Sequence, residues 1–90
     1  MYKVDVVLKN ETGLHARPAH IFVTEASKYN SEITLKKDVD EYDAKSILSI
    51  LCMGALKGEM FTIIAEGEDE IQAAEALKSL VDSSFGEQEE

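Results

Sequence analysis

Residues 2–29 have the sequence YKVDVVLKNETGLHARPAHIFVTEASKY and contain the signals of a strand, a turn and a helix in succession. Apolar and polar side chains alternate loosely over residues 2–8, which predicts a strand. The Asn-Glu-Thr-Gly sequence at residues 10–13 is typical of a turn. Apolar residues then recur at helical spacing over about residues 16–29, which predicts a helix that buries one side and ends at Asn30 in a left-handed conformation.

The middle of the chain predicts a hairpin followed by a short helix. Residues 31–36 and 41–43 have the pattern of two strands, with polar residues between them. Ser46 precedes the apolar run at residues 47–53, and Gly54 follows it, which are start and stop signals of a short helix. Periodicity alone would also allow a buried strand there.

The last third of the chain predicts a strand and a long helix. The strand covers residues 60–65 and is broken at Gly67. Asp69, with Gln72 three residues later, predicts the N-terminal cap of the helix. The polar residues 86–90 are expected to form a frayed tail. The apolar residues spaced along the core side of this helix are Ile71, Ala74, Leu77, Leu80, Val81 and Phe85.

The resulting order of elements is β-α-β-β-α-β-α. It predicts an α+β fold with a four-stranded, largely antiparallel sheet and helices packed on one face. A ferredoxin-like core with an additional helix would give almost the same pattern, so the pattern leaves these two architectures open.

The composition limits the classes of protein to which the chain can belong. Ninety residues suffice for one domain, which we expect to span residues 1–90. Nine Lys and Arg against eighteen Asp and Glu give a net charge of −9, which argues against a protein that binds the phosphate backbone of a nucleic acid. The single cysteine, Cys52, excludes a disulfide framework and a thiolate zinc cluster. Without a membrane-spanning stretch or a signal-peptide pattern, we expect a soluble, cytoplasmic protein that does not insert into membranes.

Three rare residues fall within one tetrapeptide, His15-Ala16-Arg17-Pro18. Arg17 and Pro18 are the only Arg and Pro of the chain, and His15 is one of two histidines. Pro18 is tolerated in a first helical turn, where amides have no intrahelical partner, and such a helix start attracts anions. An imidazole is a competent nucleophile near pH 7, and a guanidinium is well suited to phosphate oxygens. The tetrapeptide therefore predicts a site for a phosphoryl group.

The pattern alone also allows these residues a purely structural role. A histidine near a helix start is more often a surface residue or a cap. His15 and His20 lie five residues apart rather than the four that place two imidazoles on one helix face, so we expect no metal site. No nucleophile-elbow sequence is present, and no cofactor is expected.

The stretch Thr12-Gly13-Leu14-His15-Ala16-Arg17-Pro18-Ala19 resembles the active-site signature of the HPr family, the histidine-containing phosphocarriers of the sugar phosphotransferase system. A second motif resembles the region around the regulatory serine of that family: Lys45-Ser46-Ile47, Gly54 and Lys57-Gly58. Chain length, element order and the entry to the last helix at residues 65–70 also match. The resemblance therefore covers essentially the whole chain.

The resemblance implies an open-faced β-sandwich with strand order 1-4-2-3 and three helices on one face. It implies a carrier rather than a true enzyme: phosphoenolpyruvate phosphorylates Enzyme I, which passes the phosphoryl group to Nδ1 of His15. Phospho-His15 then passes it to IIA components of sugar permeases. In this scheme Arg17 binds the phosphate, Pro18 shapes the helix start, and the carrier is a monomer.

The resemblance also implies a regulatory and a docking site. Ser46 would be phosphorylated by an ATP-dependent HPr kinase/phosphorylase, as in the Gram-positive type, and the product would bind a catabolite-control transcription factor. As a structural residue Ser46 would be a helix cap, and both roles are compatible. Since a short helix on a one-sided sheet cannot bury all its apolar residues, we expect an exposed apolar patch. The residues expected to contact partners are Leu14, His20, Ile47, Leu48 and Leu51.

Several positions differ from the family pattern. The sequence Asp38-Val39-Asp40-Glu41 lacks an Asn-Gly turn, so we expect a longer or more mobile connection. His20 replaces a small or hydroxyl residue and is either a partner contact or an ordinary surface histidine. Cys52 and Met53 are expected to fill the core.

Two other classes of function compete with the carrier. One is a regulatory binding module that acts through Ser46 without a relay; the resemblance disfavours it, because the regulatory-only relatives lack the histidine. The other is a small ferredoxin-like enzyme such as an acylphosphatase. That enzyme would need an Arg and an Asn together at its phosphate site, and the only Arg lies beside His15.

Overall fold

The computed structural model describes residues 1–86 and has the predicted order of elements. Three of the four strands, at residues 2–7, 32–37 and 60–66, alternate between more and less buried residues, as expected for a sheet with one covered face. Within residues 1–86, none of the helices has the length and hydropathy of a membrane-spanning segment. The elements are β1 (Tyr2–Val7), α1 (Ala16–Ala26), β2 (Glu32–Lys37), β3 (Asp40–Asp43), α2 (Ile47–Met53), β4 (Met60–Glu66), α3 (Glu70–Asp82) and a final 3-10 turn (Ser84–Gly86).

The four strands form one antiparallel sheet in the order β1-β4-β2-β3. Val6 of β1 pairs with Phe61 of β4, and Leu35 of β2 pairs with Ile63 of β4, so their side chains enter the same core. This order is the one that the family resemblance implies, and the predicted fold class is confirmed. The ferredoxin-like alternative is therefore not retained.

The helices fill the covered face of the sheet. Phe22 of α1 meets Phe61 of β4 edge to face, with ring centroids 6.4 Å apart, and lies the same distance from Phe85. Helix α3 packs on β1 and β4, while α2 packs on α1. Residues 47–53 form a helix and not the buried strand that periodicity also allowed, and this helix buries Ile50 and Met53, which lie three residues apart.

Helix α1 ends at Ala26, three residues before the predicted end at Tyr29. The amides of Lys28 and Tyr29 bond to carbonyls three residues back, which tightens the chain into turns after the helix. Asn30 does not adopt the left-handed stop that the sequence suggested.

The β2–β3 hairpin is tighter than expected. Lys37 pairs with Asp40, so only Asp38 and Val39 form the loop. Asp38 adopts φ +58°, a conformation that Asp tolerates better than most residues, which removes the need for glycine. The prediction of a longer connection was wrong.

Three predictions near the ends of α2 and α3 were also wrong. Ile71 is 55% exposed, because it lies on the outer side of the first turn of α3. Phe85 is buried as predicted, but it reaches the core from the 3-10 turn with φ +56° rather than from the helix. Cys52 is exposed, whereas its neighbour Met53 does fill the core. The predicted tail lies outside the described residues from position 87 onward.

Candidate functional site

His15 is the N-cap residue of α1. Its backbone is extended (φ −81°, ψ −172°), and its carbonyl accepts the first helical bond from the Ala19 amide at 2.9 Å. Its side chain forms no capping hydrogen bond and is exposed. The backbone of His15 therefore fixes the residue at the helix start, while the ring nitrogens of the imidazole remain accessible to an incoming group.

The helix start beside His15 supplies anion-binding donors. Ala16 and Arg17 occupy the first two helical positions, whose amides have no carbonyl within the helix to bind. Pro18 is buried in the same turn and has no amide hydrogen to lose there, as expected from the sequence. A negatively charged group on the imidazole would meet these donors and the positive end of the helix dipole.

The loop that leads into His15 rests on the segment after α2. Gly13 adopts φ +62°, and a Cβ there would lie 2.6 Å from the carbonyl oxygen of Ala55. The next amide, of Leu14, donates to that same oxygen at 3.0 Å. Only glycine permits this approach, which explains why Gly13 precedes the site. Leu14 itself is 3% exposed and belongs to the core, so the structure does not support it as a partner contact.

Arg17 is the cation of the site. It is exposed, and within residues 1–86 it makes no ion pair, so its guanidinium is available to phosphate oxygens. The adjoining sequence adds no acid, because residues 12–24 and 44–58 contain no Asp or Glu although the chain carries eighteen. The carboxylates that flank these segments have partners of their own: Glu11 pairs with Lys57, and Glu59 pairs with Lys37. Since α1 packs on α2, the two acid-free segments lie side by side. In a protein of net charge −9, this is where an acidic partner would meet least repulsion.

Ser46 is the N-cap of α2, as predicted. Its hydroxyl oxygen accepts the Ser49 amide at 3.2 Å, and its carbonyl accepts the Ile50 amide. The residue is half-buried, so Ser46 caps the helix while part of it remains accessible to solvent.

Helix α2 exposes an apolar side. Ile47, Leu48 and Leu51 are 36%, 72% and 39% exposed, whereas Ile50 of the same helix is fully buried. Leu56 adds another 64% exposed leucine from the loop that contacts Gly13. Sequence periodicity missed Leu56 because it lies outside any helix or strand. We call the exposed residues Ile47, Leu48, Leu51 and Leu56 the apolar patch.

The second histidine, His20, lies on the exposed side of α1, and Thr24 donates to its backbone carbonyl. Among residues 1–86, no three His, Cys, Asp or Glu side chains are grouped so that they could hold a metal ion. The site therefore consists of an imidazole, a guanidinium and backbone amides.

The chain matches known proteins over nearly its whole length. The family model described as the PTS HPr component phosphorylation site covers residues 2–83. The HPr-like protein Crh of Bacillus subtilis is 46% identical over 79 residues, which cover 88% of this chain and 91% of Crh. The phosphocarrier protein HPr of Haemophilus influenzae is 42% identical over 81 residues, covering 90% and 95% of the two chains. The crystal structure of HPr-C-His from Thermoanaerobacter tengcongensis is 46% identical and superposes with a TM-score of 0.96, covering 99% and 100% of the two chains.

These matches agree with the geometry. The sheet order, the exposed N-cap histidine and the serine cap of α2 all occur in a chain that the family model matches from β1 through α3. The chain belongs to the HPr family of phosphocarrier proteins and their HPr-like relatives.

Proposed function

We propose that this chain is a phosphocarrier that takes a phosphoryl group from phospho-Enzyme I on His15 and passes it to IIA components of sugar permeases. The observation that carries the proposal is the exposed imidazole of His15, which makes no capping hydrogen bond and lies at a helix start with available amides. The family match supports it, because the matching model is named for a phosphorylation site.

In the transfer step, the lone pair of the His15 Nδ1 atom attacks phosphorus on Enzyme I. The new N–P bond forms as the bond from phosphorus to its donor atom breaks, and the donor keeps that electron pair. The Ala16 and Arg17 amides and the Arg17 guanidinium offset the negative charge of the phosphoryl oxygens. Transfer to a IIA component reverses the step: a nucleophile on IIA attacks phosphorus, and the imidazole leaves with its lone pair restored.

Docking is proposed to use the apolar patch together with the exposed side chains of residues 12–24, which include no Asp or Glu. Exposed leucines supply the apolar area of a transient interface, and Arg17 and His20 face a partner surface that we expect to be acidic. The sugars served are then decided by the permeases and not by this chain.

We further propose that phosphorylation of Ser46 regulates the carrier. Ser46 is a half-buried residue at a helix start, where a phosphate would find amide donors and would not need to unfold the helix. An HPr kinase/phosphorylase would add the group, and a catabolite-control transcription factor would bind the product.

A second candidate function is a regulatory module without a relay. It is favoured by the 46% identity to Crh, an HPr-like protein. It is disfavoured by His15, since a module acting only through Ser46 has no use for an exposed imidazole beside a phosphate-binding arginine.

The test is incubation of the purified chain with Enzyme I and phosphoenolpyruvate, followed by intact mass measurement. We expect one acid-labile phosphoryl group at the end point on the wild type and on His20→Ala, the matched histidine control, in which a lost docking contact would change the rate and not the final mass. His15→Ala should take up none and should keep a similar thermal transition, because an exposed N-cap side chain contributes little packing. An unphosphorylated wild type that a Ser46 kinase does modify would instead establish the regulatory module.

We expect a single domain over residues 1–90 that acts as a monomer. Related HPr and Crh chains have been solved as dimers, so the mass of this chain in solution is to be measured by light scattering alongside the transfer assay.

A further inference from the structure

Glu59 closes the turn that supports the His15 loop. Its Oε1 atom accepts the Leu56 amide at 2.6 Å, and its own amide donates to the Leu56 carbonyl at 3.0 Å. The other carboxylate oxygen lies 3.4 Å from Nζ of Lys37 in the β2–β3 hairpin. The carboxylate thus joins the hairpin to residues 55–59.

One peptide unit connects this carboxylate to the site. The Leu56 N–H and the Ala55 C=O belong to the same planar peptide group and point in opposite directions. The N–H donates to Glu59, and the C=O accepts the Leu14 amide at 3.0 Å. The bond to Glu59 holds the N–H and so fixes the direction of the Ala55 C=O. This C=O binds Leu14, the residue immediately before His15.

The rest of the turn is joined to the same loop. The Leu8 amide donates to the Glu59 carbonyl, and the Gly58 amide donates to the Leu8 carbonyl. Lys57 forms an ion pair with Glu11. A rotation of the Ala55–Leu56 peptide would therefore strain contacts along residues 8–14 as well as the bond to Leu14.

The carboxylate is ionised when the carrier works. The Leu56 amide lowers the pKa of Glu59 below its ordinary value; burial opposes this effect less strongly, and Lys37 lowers the pKa further. A charged acceptor forms a stronger hydrogen bond to the amide than a neutral one.

We propose that Glu59 is a positioning residue for phosphoryl transfer, which fixes the Ala55–Leu56 peptide and through it the loop that presents His15. The proposal rests on the relay function proposed above. No active-site motif of the sequence includes Glu59, and its effect reaches His15 only through backbone bonds.

The test compares Glu59→Ala and Glu59→Gln with a matched pair at Glu70. Glu70 makes the same local arrangement: its carboxylate accepts the Gly67 amide three residues back at 3.2 Å, its amide donates to the Gly67 carbonyl, and it forms an ion pair with the N-terminus. That turn packs on Ser31 and not on the His15 loop. Glu70 variants therefore control for the loss of a carboxylate-closed turn.

The measurement is the single-turnover rate of transfer from phospho-Enzyme I at saturating concentration, with amide hydrogen exchange of Leu14 as a second readout. We expect Glu59→Ala to slow transfer about 3- to 10-fold, less than the ~100-fold that a 1 Å misplacement can cost. Glu59→Gln, which can still accept the Leu56 amide, should stay within about 2-fold of the wild type. Leu14 exchange should rise in Glu59→Ala only, and both Glu70 variants should transfer at the wild-type rate.

Each outcome supports or overturns a particular role of Glu59. If both Glu59 variants transfer faster than the wild type, the carboxylate acts only as a charge that repels the partner, and the positioning role is wrong. A normal rate and unchanged Leu14 exchange in folded Glu59→Ala also overturn it. A wild type that accepts no phosphoryl group contradicts the proposed relay instead, whatever the exchange of Leu14 shows.

Discussion

The Asp69 carboxylate accepts hydrogen bonds from both the backbone N–H and the hydroxyl of Ser31, 38 residues earlier in the chain. The same carboxylate accepts the Asn30 amide at 2.9 Å. Gly67 lies so close that a Cβ there would be 2.8 Å from the Cα of Ser31. One side chain thus holds the α1–β2 connection against the β4–α3 connection.

These bonds predict a pH-dependent contribution to stability. The Ser31 hydroxyl and then the Asn30 amide lower the pKa of Asp69 below its ordinary value of 3.8. A depressed carboxyl pKa contributes stability above 3.8, which is lost as the pH falls through the lower folded value. Asp69→Asn should therefore have a lower Tm than the wild type at pH 7, and the difference should shrink toward pH 2.

Thermal melts by circular dichroism between pH 2 and 7 measure this difference. Asp5→Asn is the control, since Asp5 is exposed and accepts one hydrogen bond, from Thr62. A gap between Asp69→Asn and the wild type that does not change with pH would contradict the assignment.

Asp69 also shows where sequence reasoning reaches its limit. Asp69 with Gln72 has the pattern of a local helix cap, but the carboxylate makes no capping bond and serves a partner far along the chain. Patterns within a few residues predict strands, helices and Ser46, whose cap partner Ser49 is local. They cannot predict which distant backbone amides a carboxylate will meet.

The same reasoning separates the predicted and missed parts of the site. His15 and Arg17 lie in one tetrapeptide, and their placement at a helix start follows from Pro18 and the spacing after it. Leu14 and Leu56 were harder, because both are leucines in loops, and only the tertiary packing of the two loops buries Leu14 and leaves Leu56 exposed. The sequence shows how many residues are apolar, but hydrophobicity alone does not show which of them lie in the core and which at the surface.

Gly13→Ala should destabilise the fold and slow transfer. The left-handed conformation costs an L-residue about 1–2 kcal/mol, and the new Cβ would also displace the backbone of Ala55 and Leu56. Gly54→Ala is the control, because Gly54 has φ +61° against +62° for Gly13 but no atom closer than 3.9 Å. We expect Gly13→Ala to lower the Tm more than Gly54→Ala does, and only Gly13→Ala to slow transfer. Equal decreases in Tm would show that the contact with Ala55 carries no cost.

Leu48→Ala should weaken docking without weakening the fold. Leu48 is 72% exposed, so its truncation removes little packing, but a contact leucine is worth about 1 kcal/mol, or roughly a 5-fold rise in KM for Enzyme I. Ile71→Ala is the control, an exposed apolar residue of α3 outside the apolar patch. Equal KM values for Leu48→Ala and wild type would remove α2 from the docking surface.

Arg17→Lys should slow phosphoryl transfer although it keeps the charge. An ammonium cannot make the planar two-point contact of a guanidinium with phosphate oxygens. Arg17→Gln, which also loses the charge, should be slower still. The single-turnover rate with phospho-Enzyme I measures both, and identical rates for Arg17→Lys and the wild type would show that only the charge matters.

Ser46→Asp should make the chain a poorer acceptor from Enzyme I without unfolding it. The new carboxylate stands at the start of α2, within residues 44–58, which contain no Asp or Glu, and adds to the charge of the neighbouring Asp43. A partner surface that attracts Arg17 would be repelled by it. Phosphoserine, with about −1.5 to −2 charges, should cause a larger loss in the same direction.

Salt and a neutral isostere separate repulsion from the loss of a helix cap. Asn caps helices about as well as Asp, so Ser46→Asn keeps the cap and adds no charge, whereas Ser46→Ala loses the Ser49 bond at a cost of about 1 kcal/mol. We expect Ser46→Asn to transfer like the wild type and Ser46→Ala to differ mainly in Tm.

The loss of transfer rate in Ser46→Asp should diminish with salt, as the Debye length falls from about 10 Å at 0.1 M to about 3 Å at 1 M. The measurement is the Enzyme I transfer rate of the four proteins across a salt series, with circular dichroism as the fold control. Ser46→Asp and Ser46→Asn differ from each other in charge and little in shape. Equal rates for these two variants at low salt would therefore refute the electrostatic mechanism, even if both were slower than the wild type.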